Sequence, residues 1–97
     1  MNALVSIHDG AAFANSRDVA AKFGKRHADV LRTIDQLIAQ APELNQRNFA
    51  FVGYVDEKGE HRPGYNLDRD GFALLAMGFT GKSALRWKLR YIEAFSR

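Results

Sequence analysis

The stretch SRDVAAKFGKRHADVLRTIDQLIAQ, residues 16–40, decides how this chain folds. Asn15-Ser16 supplies a helix N-cap, and Asp18 adds negative charge to the first turn. Val19, Ala20 and Phe23 form an apolar stripe, and Gly24 suits the left-handed residue that ends a helix. A second helix restarts around Arg26 and runs to about Ala41, where Pro42 disfavours helical geometry. Its apolar residues Val30, Leu31, Ile34, Leu37, Ile38 and Ala41 recur in steps of about three and four. A helix-turn-helix needs a small residue at the helix crossing, a glycine four residues on and a branched apolar residue beyond. Ala20, Gly24 and Val30 stand at those offsets; Lys25 departs from the pattern, because an apolar residue is common there.

The flanking segments have a different period. Leu4, Val5 and Ile7 are β-prone, Asp9-Gly10 is a hairpin-turn dipeptide, and Ala11 to Ala14 reads as the returning strand. From Asn48, Phe49, Phe51 and Val55 alternate with Ala50, Val52 and Tyr54, which predicts a strand buried on both faces. Asp56-Glu57-Lys58-Gly59 is a turn, and the return strand runs from Glu60 to about Leu67. Pro63 requires that strand to be an edge or to carry a bulge. Asp68 caps a short helix through Met77, with Phe72, Leu74, Leu75 and Met77 as core candidates and Gly78 at its end. Thr80 caps a last helix from about Gly81 to Ser96. Its apolar side is Leu85, Leu89, Ile92 and Phe95, widened by Trp87 and Tyr91; Lys82, Arg86, Arg90, Glu93 and Arg97 form its polar stripe.

With 97 residues and neither repeats nor a linker, residues 1–97 read as one α+β domain. The absence of cysteine excludes a disulfide framework and thiol catalysis, and it fits a reducing cytoplasm. No apolar run is long enough to span a membrane, and Met1-Asn2-Ala3-Leu4 carries no secretion signal. Net charge is +3, and its distribution says more than its total. Residues 16–36 hold five basic and three acidic groups, and residues 80–97 hold five against Glu93 alone, whereas residues 43–70 hold four against six.

On a helix-turn-helix docked in a major groove, Lys25, Arg26, His27, Arg32 and Gln36 would be the reaching side chains. Arg pairs with guanine O6 and N7, and Gln with adenine N6 and N7. Asp29 among them would repel phosphate unless it accepts from a cytosine amine or orients Arg26 or Arg32. The hairpin is a candidate wing, with Lys58, His61 and Arg62 at its tip, although Asp56, Glu57 and Glu60 share that tip. Lys82, Arg86 and Arg90 could track a phosphate backbone, and equally could be a solvated helix face.

Two enzyme readings fail on spacing. Gly78-Phe79-Thr80-Gly81-Lys82-Ser83 resembles the end of a phosphate-binding P-loop, but Ala76 stands where that motif needs glycine. His8, His27 and His61 lie on three elements without metal-ligand or triad spacing, and capping explains Asp68 and Asp70. The expectation is a non-enzymatic protein with no metal or cofactor.

Phe23-Gly24-Lys25-Arg26-His27, followed by Val30-Leu31-Arg32 and Ile34, resembles the start of phage regulatory proteins of the Rha family. Asn48-Phe49, Tyr65, Asp68-Arg69-Asp70-Gly71-Phe72, Met77-Gly78-Phe79-Thr80-Gly81-Lys82, Trp87-Lys88, Tyr91-Ile92 and Ala94-Phe95 are similar to that family in order and spacing. The resemblance implies a regulator from a temperate phage or prophage, often regarded as DNA-binding. It also implies the N-terminal part of a longer architecture, with an antirepressor-type or coiled-coil segment in many members. The expected fold is α+β, a winged helix-turn-helix-like domain with a β-hairpin wing and a C-terminal helix. The expected partner is double-stranded DNA, bound as a homodimer that would extend a small footprint. The alternative is an antirepressor-like module that binds a host or phage regulatory protein.

Overall fold

The computed structural model describes the backbone of residues 5–8 and 11–95, and side chains from Ala14 to Ala94. The Asp9-Gly10 turn, Leu4 and the Phe95 side chain lie outside the described residues. Strands β1 (Val5–His8) and β2 (Ala11–Asn15) are followed by helices α1 (Ser16–Lys22) and α2 (His27–Gln40). After a 3-10 turn at Pro42–Leu44 come β3 (Phe49–Val55), β4 (His61–Leu67), α3 (Arg69–Met77) and α4 (Lys82–Phe95). The protein is therefore α+β, with an antiparallel sheet in the order β1-β2-β4-β3.

The register explains Pro63. β4 pairs with β3 along its whole length, from Phe49 opposite Leu67 to Val55 opposite His61. β2 joins β4 only at Asn66 and Leu67, so at Pro63 the strand is locally an edge and loses no ladder bond there. The same register corrects the reading of β3 as doubly buried. Phe49 is buried against the core, but Phe51 and Val55 lie exposed on the distal half of the ribbon, with Phe51 resting edge-on against Tyr65 at 5.5 Å.

One core gathers residues from every described helix. Val19, Ala20, Phe23, Val30, Ile34, Phe49, Leu67, Leu75, Ala76, Phe79 and Ala84 are buried together. Phe23 is its aromatic hinge, tilted on Phe79 at 5.1 Å and edge-on to Phe72 at 6.1 Å. Phe72 in turn stacks on Trp87 at 5.6 Å.

The last helix lies the other way round from its sequence-based reading. Ala84 is buried and Trp87 half-buried, whereas Leu85 and Leu89 are each 57% exposed and Ile92 is 61% exposed. The small Ala84 lets the backbone approach the core, and the broad Trp87 fills the space beside Phe72, so the leucine stripe turns outward. In α3, likewise, Leu75 and Ala76 are buried while Leu74 and Met77 are exposed. Gly81, not Thr80, supplies the first helical carbonyl of α4, accepting from the Leu85 N–H at 3.0 Å.

The junction of β4 and α3 is built from Asn48 and the run Asp68–Gly71. The Asp68 carboxylate caps α3 by accepting from the Gly71 N–H at 2.7 Å. The Asn48 side-chain amide donates to both Asp68 oxygens, at 3.1 and 2.9 Å, while the Asn48 carbonyl accepts from the Asp68 N–H at 3.2 Å. Asn48 thus ties the start of β3 to the start of α3.

Candidate nucleic-acid interface

The α1–α2 corner is set by a helix-ending motif. Gly24 has φ +64°, a left-handed conformation that L-residues with a side chain rarely adopt. The Lys25 N–H donates to the Ala20 carbonyl at 2.9 Å and the Gly24 N–H to that of Ala21 at 3.3 Å, the two bonds of a Schellman end. Ala20, Val30 and Ile34 are buried where the helices meet. With α2 locked on that side, Ala28, Arg32, Asp35, Gln36 and Ala39 face solvent. Arg32 and Gln36 therefore stand out between two small alanines, which leaves room for another surface to come close.

Asp29 organises the positive charge at the start of α2. It receives the Arg26 Nε at 3.2 Å and an Arg32 terminal nitrogen at 2.6 Å. Hydrogen bonds from Arg26 and then Arg32 hold its carboxyl below the ordinary carboxylate range. Exposed pairs of this kind contribute little to stability. They bring the Arg26 and Arg32 guanidinium groups to one carboxylate.

Lys25 and His27 are turned toward the protein itself. The Lys25 ammonium donates to the Thr80 carbonyl at 2.9 Å and lies 5.7 Å from the Phe79 ring centre. The residue that departs from the helix-turn-helix pattern therefore fastens the turn to the α3–α4 loop. Lys88 holds the same loop from the other end, donating to the Phe79 carbonyl at 2.7 Å. His27 Nε2 meets the Ser16 hydroxyl at 2.8 Å, and its Nδ1 lies 3.5 Å from the Tyr54 hydroxyl. Buried Ser16 also accepts from the Tyr65 N–H at 3.0 Å, so its own proton is available to a neutral His27. Burial, and secondarily the charge of Arg17, pushes the His27 pKa below its ordinary value.

At the hairpin tip the cations are largely balanced. Arg62 pairs with Asp56 at 2.9 Å and with Glu60 at 3.2 Å. Hydrogen bonding from Arg62, followed by the Glu60 N–H, lowers the Asp56 pKa. Arg62 and exposed Lys58 line an open hollow of about 440 Å³ with Arg17, which lies over the Tyr54 ring at 4.1 Å; Asp56 and Glu57 line it too. On α4, exposed Arg86 and Arg90 share a smaller groove of about 170 Å³ with Lys22 of α1, and Lys82 is exposed at the start of the helix.

The candidate residues thus fall into three groups: the α2 face with Arg26, Arg32 and Gln36, the hairpin with Lys58 and Arg62, and α4 with Lys82, Arg86 and Arg90. Lys25 and His27 connect the first group to the rest of the fold. Sequence reasoning passed over Lys22 and Arg17, whose places across α4 and Tyr54 arise from tertiary packing. It also passed over Ser16 beyond its capping role. Among the described residues no three His, Asp or Glu side chains could hold a metal ion, and no helix is long and apolar enough to cross a membrane.

The fold is a small α+β protein with an exposed, arginine-bearing second helix. Residues 14–97 match the family described as phage regulatory protein Rha, and the chain belongs to that family. It is 39% identical over 83 residues to an uncharacterized protein of Haemophilus influenzae, covering 84% of this chain and 48% of that one. It is 33% identical over 99 residues to an uncharacterized 22.8 kDa protein of Salmonella phage P22, covering 96% of this chain and 47% of the relative. It is also 31% identical over 90 residues to YoqD from the SPbeta prophage of Bacillus subtilis, named as a candidate antirepressor, covering 90% of this chain and 36% of YoqD. The chain therefore spans about half the length of the first two relatives and about a third of YoqD. No solved structure matches it.

Proposed function

We propose that this chain is a non-enzymatic DNA-binding module of phage gene control, acting in the bacterial cytoplasm, with α1 and α2 as a helix-turn-helix. The observation that carries this reading is the outer face of α2. Arg32 and Gln36 project between Ala28 and Ala39 from a helix fixed by Val30 and Ile34 underneath. Such a face matches a major groove in width and in hydrogen-bonding chemistry. The β3–β4 hairpin occupies the chain position of a wing.

Gel-shift titration on a duplex selected from a random pool tests it. Arg32→Ala should cost about 1–3 kcal/mol on the selected site and relax base choice. Arg90→Ala should weaken binding to all sequences alike. Full retention of affinity and selectivity by Arg32→Ala would reject the docking face.

A second reading is an antirepressor-like module that binds a host or phage regulatory protein, or a second copy of itself. The exposed Leu85, Leu89 and Ile92 on α4 favour it, because adjacent exposed apolar side chains mark protein contacts. No retention on random duplex at about 50 mM salt, where polyanion contacts are strong, would favour this reading over the first.

A further inference from the structure

We infer that the groove between the end of α1 and the outer side of α4 is a phosphate clamp, and that α4, rather than the hairpin, makes the second contact with the nucleic-acid backbone. This rests on the DNA-binding reading above and names the part of the ligand that the groove takes. The groove is lined by Lys22, Phe23, Ser83, Arg86, Trp87 and Arg90. Three cations and a hydroxyl converge there, and no carboxylate lines it.

Charge neutralisation separates this site from several of the other basic groups. Arg26 and Arg32 share Asp29, Arg62 is held by Asp56 and Glu60, and Arg69 lies beside Asp70. Among the described residues, Lys22, Arg86 and Arg90 form no such ion pair. Arg17 and Lys58 are unpaired too, but Asp56 and Glu57 line the hollow that they share with Arg62, whereas no carboxylate lines this groove. A polyanion gains most where cations must not first give up an internal partner.

The size and floor of the groove select the group. Its volume of about 170 Å³ is below the roughly 300–1,000 Å³ of small-molecule pockets, so it suits a single phosphodiester better than a nucleoside. Trp87 is not available as a stacking platform for a base. It stacks on Phe72 at 5.6 Å and meets Tyr91 at 5.2 Å. Lys22 and Phe23 immediately precede the Gly24 turn, so the groove adjoins the start of α2.

The test is fluorescence anisotropy on a short random-sequence duplex across about 50–200 mM salt, with Lys22→Gln, Arg86→Gln and Arg90→Gln compared with Lys58→Gln and with Arg47→Gln, an exposed cation outside the three groups. Each groove variant should bind more weakly and flatten the log–log salt slope by about 0.9, while Arg47→Gln keeps the parental slope. Flattening by Lys58→Gln as large as by the groove variants would return the second contact to the hairpin. Thermal melting checks that all five remain folded, as expected for exposed residues. Parental slopes in all three groove variants, with Arg32→Ala still impaired, would overturn the clamp and leave the α2 reading standing. No duplex binding by the unmodified protein would overturn both. Competition by polyglutamate as strong as by duplex would assign the groove to an acidic protein instead.

Discussion

At Gly71 the space for a side chain is already filled. A Cβ there would lie 2.4 Å from the Asn48 carbonyl oxygen, which itself is tied to the Asp68 N–H. Alanine would raise helix propensity by about 1 kcal/mol, but the overlap with fixed backbone opposes it by about 1–3 kcal/mol or more. Gly71→Ala should therefore lower stability in urea denaturation, and Asp68→Ala should cost about 0.5–2 kcal/mol through the lost cap. His27 gives a pH dependence of known sign. Its pKa is lowered in the fold, so the unfolded chain takes up the proton first. Stability should be full above about pH 6.5 and fall as pH drops below it, in a range where carboxylates are still ionised. Melting temperatures for the parent and His27→Gln should differ by a constant amount above about pH 6.5, and below it the parent's should fall the more steeply. Ser16→Ala should destabilise at every pH by about 1–3 kcal/mol, since it strands the buried Tyr65 N–H.

The elements of the fold were largely legible because each announces its ends locally. Asn15 and Asp68 cap their helices, Gly24 closes α1, and Pro42 follows the end of α2, all within a residue or two of the sequence-based bounds. Which face each element buries was less legible. In α4 the apolar period alone points to Leu85, Leu89 and Ile92, yet the described core takes Ala84 and Trp87. Periodicity counts hydrophobic side chains and does not register the value of a small residue at a close approach. The site followed the same division: Arg32 and Gln36 could be placed from the helix, whereas Lys22 meets α4 only through packing. One expected outcome separates the two accounts of α4. Leu85→Gln and Leu89→Gln should each change stability by no more than about 0.5 kcal/mol, the usual range for surface positions. A core role would instead cost several times more in the same denaturation curves.

Across the whole molecule, the net charge of +3 conceals a division between paired and unpaired cations. Asp29 is the pivot on the α2 side. Asp29→Asn would release Arg26 and Arg32 from their common partner, adding positive charge while loosening their orientation. In duplex titrations, that variant should bind random sequence more tightly with a steeper salt slope, and discriminate its selected site less well. Discrimination undiminished in Asp29→Asn would mean that orientation of these arginines carries no specificity.

The two lysine-to-carbonyl ties around the α3–α4 loop also divide the chain's amines by chemical reactivity. Of five lysines, Lys25 and Lys88 are half-buried and donate to Thr80 and Phe79, whereas Lys22, Lys58 and Lys82 are exposed. A brief treatment with an acylating reagent should therefore mark the latter three first. Acylation of Lys25 would cut the strap between the Gly24 turn and the loop, so an amine modified on this one residue would loosen the seating of α2 while leaving its outer face chemically untouched.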